Sequence, residues 1–205
     1  AIAQPSLPVL VSLWGSDLLG RYGPITRQTV RFADEVVVMS EEMAAALPFD
    51  PVVLPHGVDL ERFAPMDQAA ALAEVGWADD RRHVLFPYDP GRTVKNYPRA
   101  EAIVDAANDQ FDGKVELQSV SGVPHERVAT YMNAADVLLL PSDREGSPNA
   151  VKEAMACNLP VAATPVGDVA ERLDGVSPSV VAEDDDALAR GVAAILTADE
   201  RSDGR

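Results

Sequence analysis

An apolar run, a short loop and a helix-forming segment follow one another between residues 137 and 157, and this order restricts the fold most strongly. The run Val137–Leu140 is typical of a buried strand, and residues 149–157 contain helix formers without a breaker. Ser147 is a good N-cap for that helix, and Pro148 suits its first position because its fixed φ fits a helix. We therefore predict a buried strand that leads through a loop into a helix.

Two carboxylates, Glu145 and Glu153, flank this junction. Glu145 lies in the loop, and Glu153 falls in the second turn of the predicted helix, roughly 9 to 12 Å further along the axis at about 1.5 Å per residue. The unpaired amides and the positive dipole at a helix start favour anionic or hydroxyl-rich ligands. The separation therefore suits two parts of one extended ligand better than a single metal ion.

The rest of the chain repeats the alternation of strand and helix. This pattern predicts an α/β fold with a parallel, Rossmann-like sheet that carries helices on both faces. Residues 48–65 contain a concentration of proline and glycine that indicates a domain boundary, and residues 199–205 are expected to fray. The predicted strands are 7–13, 35–39, 51–54, 83–86, 115–120, 137–140, 159–164 and 176–181, and the predicted helices are 25–32, 41–47, 97–107, 124–134, 149–157 and 184–196.

Composition excludes several classes of protein. The net charge of −16 argues against nucleic acid or an anionic membrane surface as a partner. No run of 18 apolar residues occurs and the first residues lack the features of a signal peptide, so we expect a cytoplasmic protein. The single cysteine, Cys157, is compatible with a reducing compartment and is interpreted as a small buried helix residue.

The acidic residues are spread along the whole chain rather than gathered in one tail. Of the 17 basic residues only three are lysines, Lys95, Lys114 and Lys152. Dispersed acidity with few lysines indicates adaptation to high salt, where screening removes most of the repulsion between like charges.

Two further loops at the ends of predicted strands carry candidate site residues. Trp14, Gly15, Ser16 and Asp17 follow the first strand, at the edge where parallel sheets hold ligands; alternatively, they form an ordinary turn with Ser16 or Asp17 as a helix cap.

The loop after the strand 83–86 is cationic. Residues 85–100 contain Arg92, Lys95 and Arg99 against one carboxylate, Asp89. Arg92 and Lys95 would form a diphosphate clamp, with the arginine as a bidentate fork and the lysine as a point charge. The alternative is that both are solvated surface cations.

Ordered motifs in the second half are similar to those of glycosyltransferase family 4, whose members have the GT-B architecture. The resemblance extends over residues 7–196. Its motifs are Ala134-Ala135-Asp136, Leu140-Pro141-Ser142, Glu145-Gly146-Ser147-Pro148, Glu153-Ala154-Met155-Ala156, Leu159-Pro160-Val161 and Gly167, preceded by Pro55-His56-Gly57-Val58-Asp59, Arg62-Phe63 and Gly91-Arg92 with Lys95-Asn96.

The resemblance implies two Rossmann-like domains that face a cleft. Residues 1–55 would be the end of an incomplete N-terminal, acceptor-side domain, residues 56–80 the linking segment, and residues 81–205 the nucleotide-sugar-binding domain. It implies transfer of a sugar, as in a hexosyltransferase, from a nucleotide-diphosphate sugar to a glycan, lipid or small molecule with retention of configuration. No metal or other cofactor is expected. A lipid acceptor would place the enzyme at the inner face of the membrane.

The resemblance also implies a role for each candidate residue. Glu145 would contact the donor sugar and stabilise developing positive charge, Arg92 and Lys95 would neutralise the leaving diphosphate, and Glu153 would bind the ribose hydroxyls. The donor-binding segment would help to hold the sugar through its backbone amides; it consists of Gly146, Ser147, Pro148 and Asn149. Ser142 would lie near the nucleobase, and Trp14, Gly15, Ser16 and Asp17 would lie on the acceptor side.

The sequence departs from the family at two of these places. Only Thr93 and Val94 separate Arg92 from Lys95, where the family usually has four or five residues, and Trp14 stands where a histidine is common. Two other functions therefore stay open. One is a nucleotide-sugar epimerase on the same architecture, and the other is a non-catalytic nucleotide-sugar-binding protein. With an incomplete first domain, we expect weak donor binding and poor turnover by this chain alone.

Overall fold

Two parallel β-sheets form the framework of the computed structural model, which describes residues 7–205. The first sheet has the strand order β1-β2-β3, with β1 at Leu10–Ser12, β2 at Glu35–Val38 and β3 at Val52–Val53. The second sheet has the order β5-β4-β6-β7-β8. Its strands are β4 (Arg82–Phe86), β5 (Val115–Ser119), β6 (Val137–Leu140), β7 (Val161–Ala163) and β8 (Ser179–Val181). All paired strands are parallel, which confirms the predicted α/β class.

Helices connect the strands in both parts of the chain. They are α1 (Gly15–Leu19), α2 (Gly23–Thr29), α3 (Glu41–Ala45), α4 (Gln68–Val75), α5 (Tyr97–Asn108), α6 (His125–Ala134), α7 (Asn149–Ala156), α8 (Val169–Arg172) and α9 (Asp185–Ala198). Short 3₁₀ turns cover Val30–Phe32 and Thr93–Lys95. The sequence did not predict α1, α4 or α8.

The strand β6 lies at the centre of the second sheet and is buried on both faces, as predicted. Leu138 and Leu140 belong to a core cluster that includes residues of α7, while Val137 and Leu139 point into a second cluster with α5 and α9. Because successive side chains of a strand alternate between faces, this division places helices on both sides of the sheet.

The first strand was expected to be buried over residues 7–13 but is shorter and more exposed. It covers only Leu10–Ser12, and Leu10 is 63% exposed, while Leu13 beyond its end is buried. The physical reason is its position at the edge of a three-stranded sheet, where β2 is its only pairing partner among the described residues.

Ser147 does not cap α7, so that prediction was wrong. The helix begins at Asn149 with Pro148 in the capping position, and no side chain provides a cap there. The Ser147 hydroxyl instead donates a hydrogen bond of 2.7 Å to Asp168 Oδ2. Its oxygen accepts from the Lys152 ammonium at 3.1 Å, so this cation takes the accepting role that a helix cap would need.

The last residues do not fray, which corrects another expectation. Arg201 donates to the carbonyl oxygens of Ala135 and Cys157, at 2.8 and 3.1 Å, and Arg205 donates to that of Ala156 at 3.2 Å. These carbonyls lie at the ends of α6 and α7, where no helical N–H is available. The two arginines therefore satisfy the helix ends and hold the tail against the second sheet.

The segment between the sheets packs against the second one. Phe63 is fully buried in the core cluster of β6 and α7. Asn133 of α6 accepts from the Met66 amide at 2.8 Å and donates to the Ala64 carbonyl at 3.0 Å. Within residues 7–205, no helix combines the length and the apolar character needed to cross a membrane.

Candidate functional site

A cleft of about 430 Å³ lies between the two sheets and collects most of the predicted site residues. It lies at the carboxyl ends of strands from both sheets, as expected for a parallel α/β fold. Eleven predicted residues line it: Trp14, Gly15, Ser16, Arg92, Lys95, Glu145, Gly146, Ser147, Pro148, Asn149 and Glu153.

Two predicted site residues, Asp17 and Ser142, are not part of the cleft lining. Asp17 Oδ2 accepts a hydrogen bond of 2.8 Å from the Trp14 amide, so Asp17 stabilises the start of α1 from its third position, while Trp14 and not Ser16 or Asp17 occupies the cap position. Ser142 is buried, and its hydroxyl has no hydrogen-bond partner within residues 7–205.

Lys95 and Glu145 form an ion pair on the floor of the cleft. Lys95 is only 4% exposed, and its ammonium lies 3.7 Å from the centroid of the Tyr88 ring. Burial lowers the pKa of Lys95, although the neighbouring Glu145 carboxylate acts in the opposite direction. Burial also raises the pKa of Tyr88 well above its ordinary value, and Glu145 adds to that shift.

Arg92 is exposed and lies near the same aromatic ring. Its guanidinium carbon is 5.8 Å from the Tyr88 centroid. The two cations predicted from the loop therefore share one aromatic platform, and only Lys95 is buried there. The alternative of two solvated surface cations is wrong for Lys95, because that side chain is buried.

Hydrogen bonds hold the cationic loop against the loop that carries Glu145. Asn96 Nδ2 donates to Asp143 Oδ1 at 3.0 Å, and the Asp143 amide donates to the Val94 carbonyl at 3.0 Å. Asn96 itself has φ of 57°, a left-handed conformation that asparagine tolerates better than most residues. These contacts bring Lys95 to Glu145 despite the short spacing between Arg92 and Lys95.

Glu153 lies in the second turn of α7 and contacts His125, which in turn contacts Arg62; the sequence assigned neither residue a role at Glu153. His125 Nε2 is 3.2 Å from Glu153 Oε1, and Arg62 Nη1 is 2.8 Å from His125 Nδ1. His125 starts the predicted helix 124–134, and Arg62 belongs to one of the family motifs, but neither position carried a signal of contact with Glu153. These contacts join segments that are far apart in sequence, so patterns of neighbouring residues could not predict them.

A polar network supports the loop at the start of α7. Lys152 donates to the Ser147 hydroxyl at 3.1 Å and to the His56 carbonyl at 2.8 Å. Asp168 accepts from Ser147 and, at 3.0 Å, from Arg172 Nε. Burial lowers the pKa of Lys152. The Ser147 hydroxyl is thus engaged by protein groups, which leaves the backbone of the loop to face the cleft.

Backbones from the two sheets approach each other closely beside Glu145. A Cβ on Gly15 would lie 2.9 Å from the Gly146 nitrogen, and one on Gly167 would lie 2.5 Å from the Gly146 oxygen. The Gly167 amide also donates to Glu42 Oε2 of α3 at 3.0 Å. Glycines at these positions allow the loops of both sheets to meet at one end of the cleft.

In the part of the chain that the structure describes, no group of three or more histidine, cysteine, aspartate or glutamate side chains could hold a metal ion.

The chain is similar in sequence to known glycosyltransferases. The model of the family described as "Glycosyl transferases group 1" matches residues 95–198. TuaC of Bacillus subtilis (strain 168), a glycosyltransferase named for teichuronic acid biosynthesis, is 30% identical over 191 residues, which cover 80% of this chain and 48% of TuaC. The D-inositol 3-phosphate glycosyltransferase of Mycobacterium tuberculosis (strain F11) is 31% identical over 188 residues, which cover 76% of this chain and 39% of that protein. The chain therefore spans half the length of these relatives or less.

Solved structures show the same architecture. Alr3699/HepE of Anabaena, solved in complex with UDP and glucose, superposes with a TM-score of 0.67 at 16% identity, covering 94% of this chain and 62% of the other. Sucrose-phosphate synthase from Thermosynechococcus elongatus superposes with a TM-score of 0.66 at 24% identity, covering 89% and 54%. At these identities the similarity shows the fold alone, and it confirms the predicted GT-B architecture.

Proposed function

Because the chain belongs to the group 1 family of glycosyl transferases, we propose that its cleft binds a nucleoside-diphosphate sugar for transfer with retention of configuration. The observation that supports this most is the convergence of Arg92, Lys95, Glu145 and Glu153 on one cleft at the start of α7. This set offers cations for a diphosphate and carboxylates for sugar hydroxyls. In this proposal residues 81–205 form the donor domain, residues 56–80 the link and residues 1–55 the end of the acceptor-side domain.

The diphosphate would bind at the cationic end of the cleft. Arg92 is exposed and presents a planar fork that matches phosphate oxygens. Lys95 would exchange its contact with Glu145 for one with the diphosphate, while the Tyr88 ring keeps the ammonium in place. Preorganised cations of this kind stabilise the negative charge that collects on a leaving diphosphate.

The donor sugar would lie beside Glu145 and the start of α7. Backbone amides at Gly146, Ser147 and Asn149 and the positive end of the helix dipole suit a hydroxyl-rich ligand. Glu153, one turn deeper, would accept hydrogen bonds from the ribose hydroxyls, which requires an ionised carboxylate.

During transfer, the bond between the anomeric carbon and the diphosphate breaks, and its electron pair leaves with the diphosphate. Positive charge then develops near the anomeric carbon, where the Glu145 carboxylate would stabilise it. A hydroxyl oxygen of the acceptor forms the new bond on the face that the diphosphate leaves, which retains the configuration, and the hydroxyl proton passes to an oxygen of the departing diphosphate. The acceptor itself, whether glycan, lipid or small molecule, would enter beside Trp14. We propose a cytoplasmic reaction without a bound metal, located at the inner membrane face where the acceptor is a lipid.

A second candidate function is binding of a nucleotide sugar without transfer. Trp14 occupies the position where the family commonly has a histidine, and its indole ring packs against His56 with 4.7 Å between ring centroids. An indole cannot act as a general base at neutral pH, since its N–H is a donor only. This arrangement is the specific observation that favours the second candidate.

A donor screen with product stereochemistry read by NMR tests the choice between them. The full-length protein is incubated with α-linked uridine, guanosine and adenosine diphosphate sugars together with glycan, lipid and small polyol acceptors. The proposal predicts an α-linked product from one donor class. A β-linked product would contradict retention, and nucleotide-sugar binding without any transfer would favour the second candidate.

A further inference from the structure

Glu153 does not stand alone at the floor of the cleft, because a chain of polar contacts runs from it to the segment between the sheets. His125 Nε2 lies 3.2 Å from Glu153 Oε1, Arg62 Nη1 lies 2.8 Å from His125 Nδ1, and Arg62 Nη2 lies 3.8 Å from Asp59 Oδ2. Three separate parts of the chain therefore meet at this carboxylate: α7, the start of α6 and residues 59–62.

The chemistry of arginine determines which nitrogen of His125 carries the proton. A guanidinium has N–H donors and no acceptor, so His125 Nδ1 must offer its lone pair to Arg62. The remaining nitrogen, Nε2, then carries the hydrogen and donates it to Glu153 Oε1. The contacts thus select the neutral Nε2–H tautomer of His125.

Other contacts keep the two residues in place. The His125 ring meets the buried Phe63 ring edge to face, with 5.5 Å between centroids. Asp59 Oδ1 accepts from the backbone amides of Glu61 and Arg62 at 3.0 and 3.1 Å, and these hydrogen bonds lower the pKa of Asp59. An ionised Asp59 in turn attracts the Arg62 guanidinium.

The consequence concerns the second oxygen of Glu153. The Glu153 side chain is 14% exposed, and within residues 7–205 its Oε2 makes no hydrogen bond. Glu153 lines the cleft, and with Oε1 engaged by His125 its Oε2 stays available to a ligand there. A ligand hydroxyl then meets an acceptor that is already oriented, so less conformational freedom is lost on binding.

We propose that His125 is a positioning residue that orients Glu153 for the ribose of the nucleotide, and that Arg62 fixes the tautomer of His125 that this requires. The inference rests on the proposed function, because it assigns the ribose to Glu153. It adds two residues from outside the donor loops to the determinants of nucleotide affinity.

Matched substitutions separate orientation of Glu153 from a merely structural role. In His125→Gln the side-chain amide nitrogen can replace Nε2 and donate to Glu153, whereas in His125→Asn the shorter amide cannot reach it. Glu126→Gln, the exposed neighbour on α6, serves as the control. Thermal unfolding of each variant first verifies that it is folded.

The affinities are measured by calorimetry with UDP, GDP and ADP and with the 2′,3′-dideoxy form of whichever binds best. We expect His125→Asn to weaken binding of the ribose form about 10-fold, and His125→Gln and Glu126→Gln to change it less than about 3-fold. The dideoxy form should bind all four proteins equally. Equal weakening of both forms, or no effect of His125→Asn, would overturn the positioning role while leaving the proposed function intact. If the wild-type protein bound no nucleoside diphosphate, both proposals would fail.

A second measurement does not depend on nucleotide binding. The protein has three histidines, so two-dimensional ¹H–¹⁵N spectra of the imidazole rings can be assigned by substitution. The proposal expects His125 as the neutral Nε2–H tautomer at pH 7.5, with loss of that single state in Arg62→Met. An Nδ1–H tautomer or an imidazolium in the wild-type protein would overturn it.

Discussion

Lys95 and Glu145 form a nearly buried ion pair above the ring of Tyr88. The side chains are 5% and 13% exposed, so little water shields either charge. The lowered pKa of Lys95 indicates that burial disfavours its ammonium by more than the attraction to Glu145 favours it. The cation proposed for the diphosphate and the carboxylate proposed for the sugar thus hold each other in place.

Removal of one partner of this pair should destabilise the fold. Lys95→Met leaves the Glu145 carboxylate without its counter-ion in a poorly hydrated site, and we expect the free energy of unfolding to fall by about 3 kcal/mol. Urea denaturation measures the change. Lys114→Met is the matched control, because Lys114 and its partner Asp80 are both exposed, and its stability should be nearly that of the wild type.

The double variant Lys95→Met/Glu145→Gln completes a cycle. Without the unpaired charge, it should regain part of the stability lost in Lys95→Met. If the free energy of unfolding of the double variant fell by the sum of the two single decreases, the two residues would not be coupled.

The close approach of Gly15 to Gly146 should make the geometry of the cleft sensitive to one methyl group. In Gly15→Ala the new Cβ would lie 2.9 Å from a backbone nitrogen, so the loops of the two sheets must separate. We expect nucleotide affinity to fall at least about 5-fold, because the cleft is lined from both sheets. Gly57→Ala is the control, since a Cβ there meets nothing within 4 Å. Equal affinities in the two variants would contradict the packing described.

The thiol of Cys157 should contribute a distinct alkaline dependence of stability. Burial raises its pKa from 9.0 to about 11, so the folded state keeps a proton that the unfolded chain loses. The unfolded state therefore binds fewer protons in this window, and the free energy of unfolding falls as the pH rises from about 9 to about 11, by about 3 kcal/mol for this group. Cys157→Ala should remove this part of the slope in denaturation curves at pH 8 and pH 10.5. An unchanged slope would show that the thiol ionises equally in both states.

The dispersed acidity predicts stabilisation by salt. At a net charge of −16, repulsion between like charges opposes the folded state, and at about 1 M salt screening acts within about 3 Å. We therefore expect a higher melting temperature in molar KCl than in dilute buffer. A higher melting temperature in dilute buffer would refute adaptation to high salt.

Local sequence patterns were sufficient to predict the strands of the second sheet and most of the loops that line the cleft. The apolar run of β6 and the loop before α7 depend on neighbouring residues, so their positions follow from periodicity and breakers. The motif order of the family then located Glu145, Glu153, Arg92 and Lys95 in one cleft, while their roles stay predictions.

Contacts between distant segments escaped prediction. Ser147 is a good capping residue by local rules, yet Asp168, 21 residues away, accepts its hydroxyl. Arg201 and Arg205 looked like an exposed polar tail, but they satisfy carbonyls at the ends of α6 and α7. The role proposed for His125 was not predicted either, because it depends on Arg62 and Glu153 from other parts of the chain.

Calorimetric titration of the protein with nucleoside diphosphates tests the central claim most directly. The panel comprises UDP, GDP and ADP, and it is applied to the wild type, to Glu153→Gln and to the control Glu126→Gln. The account predicts that one nucleotide binds the wild type and the control equally, and binds Glu153→Gln about 10-fold or more weakly, because a charged hydrogen bond to the ribose is lost. Absence of binding to the wild type, or equal affinity for Glu153→Gln, would contradict the account.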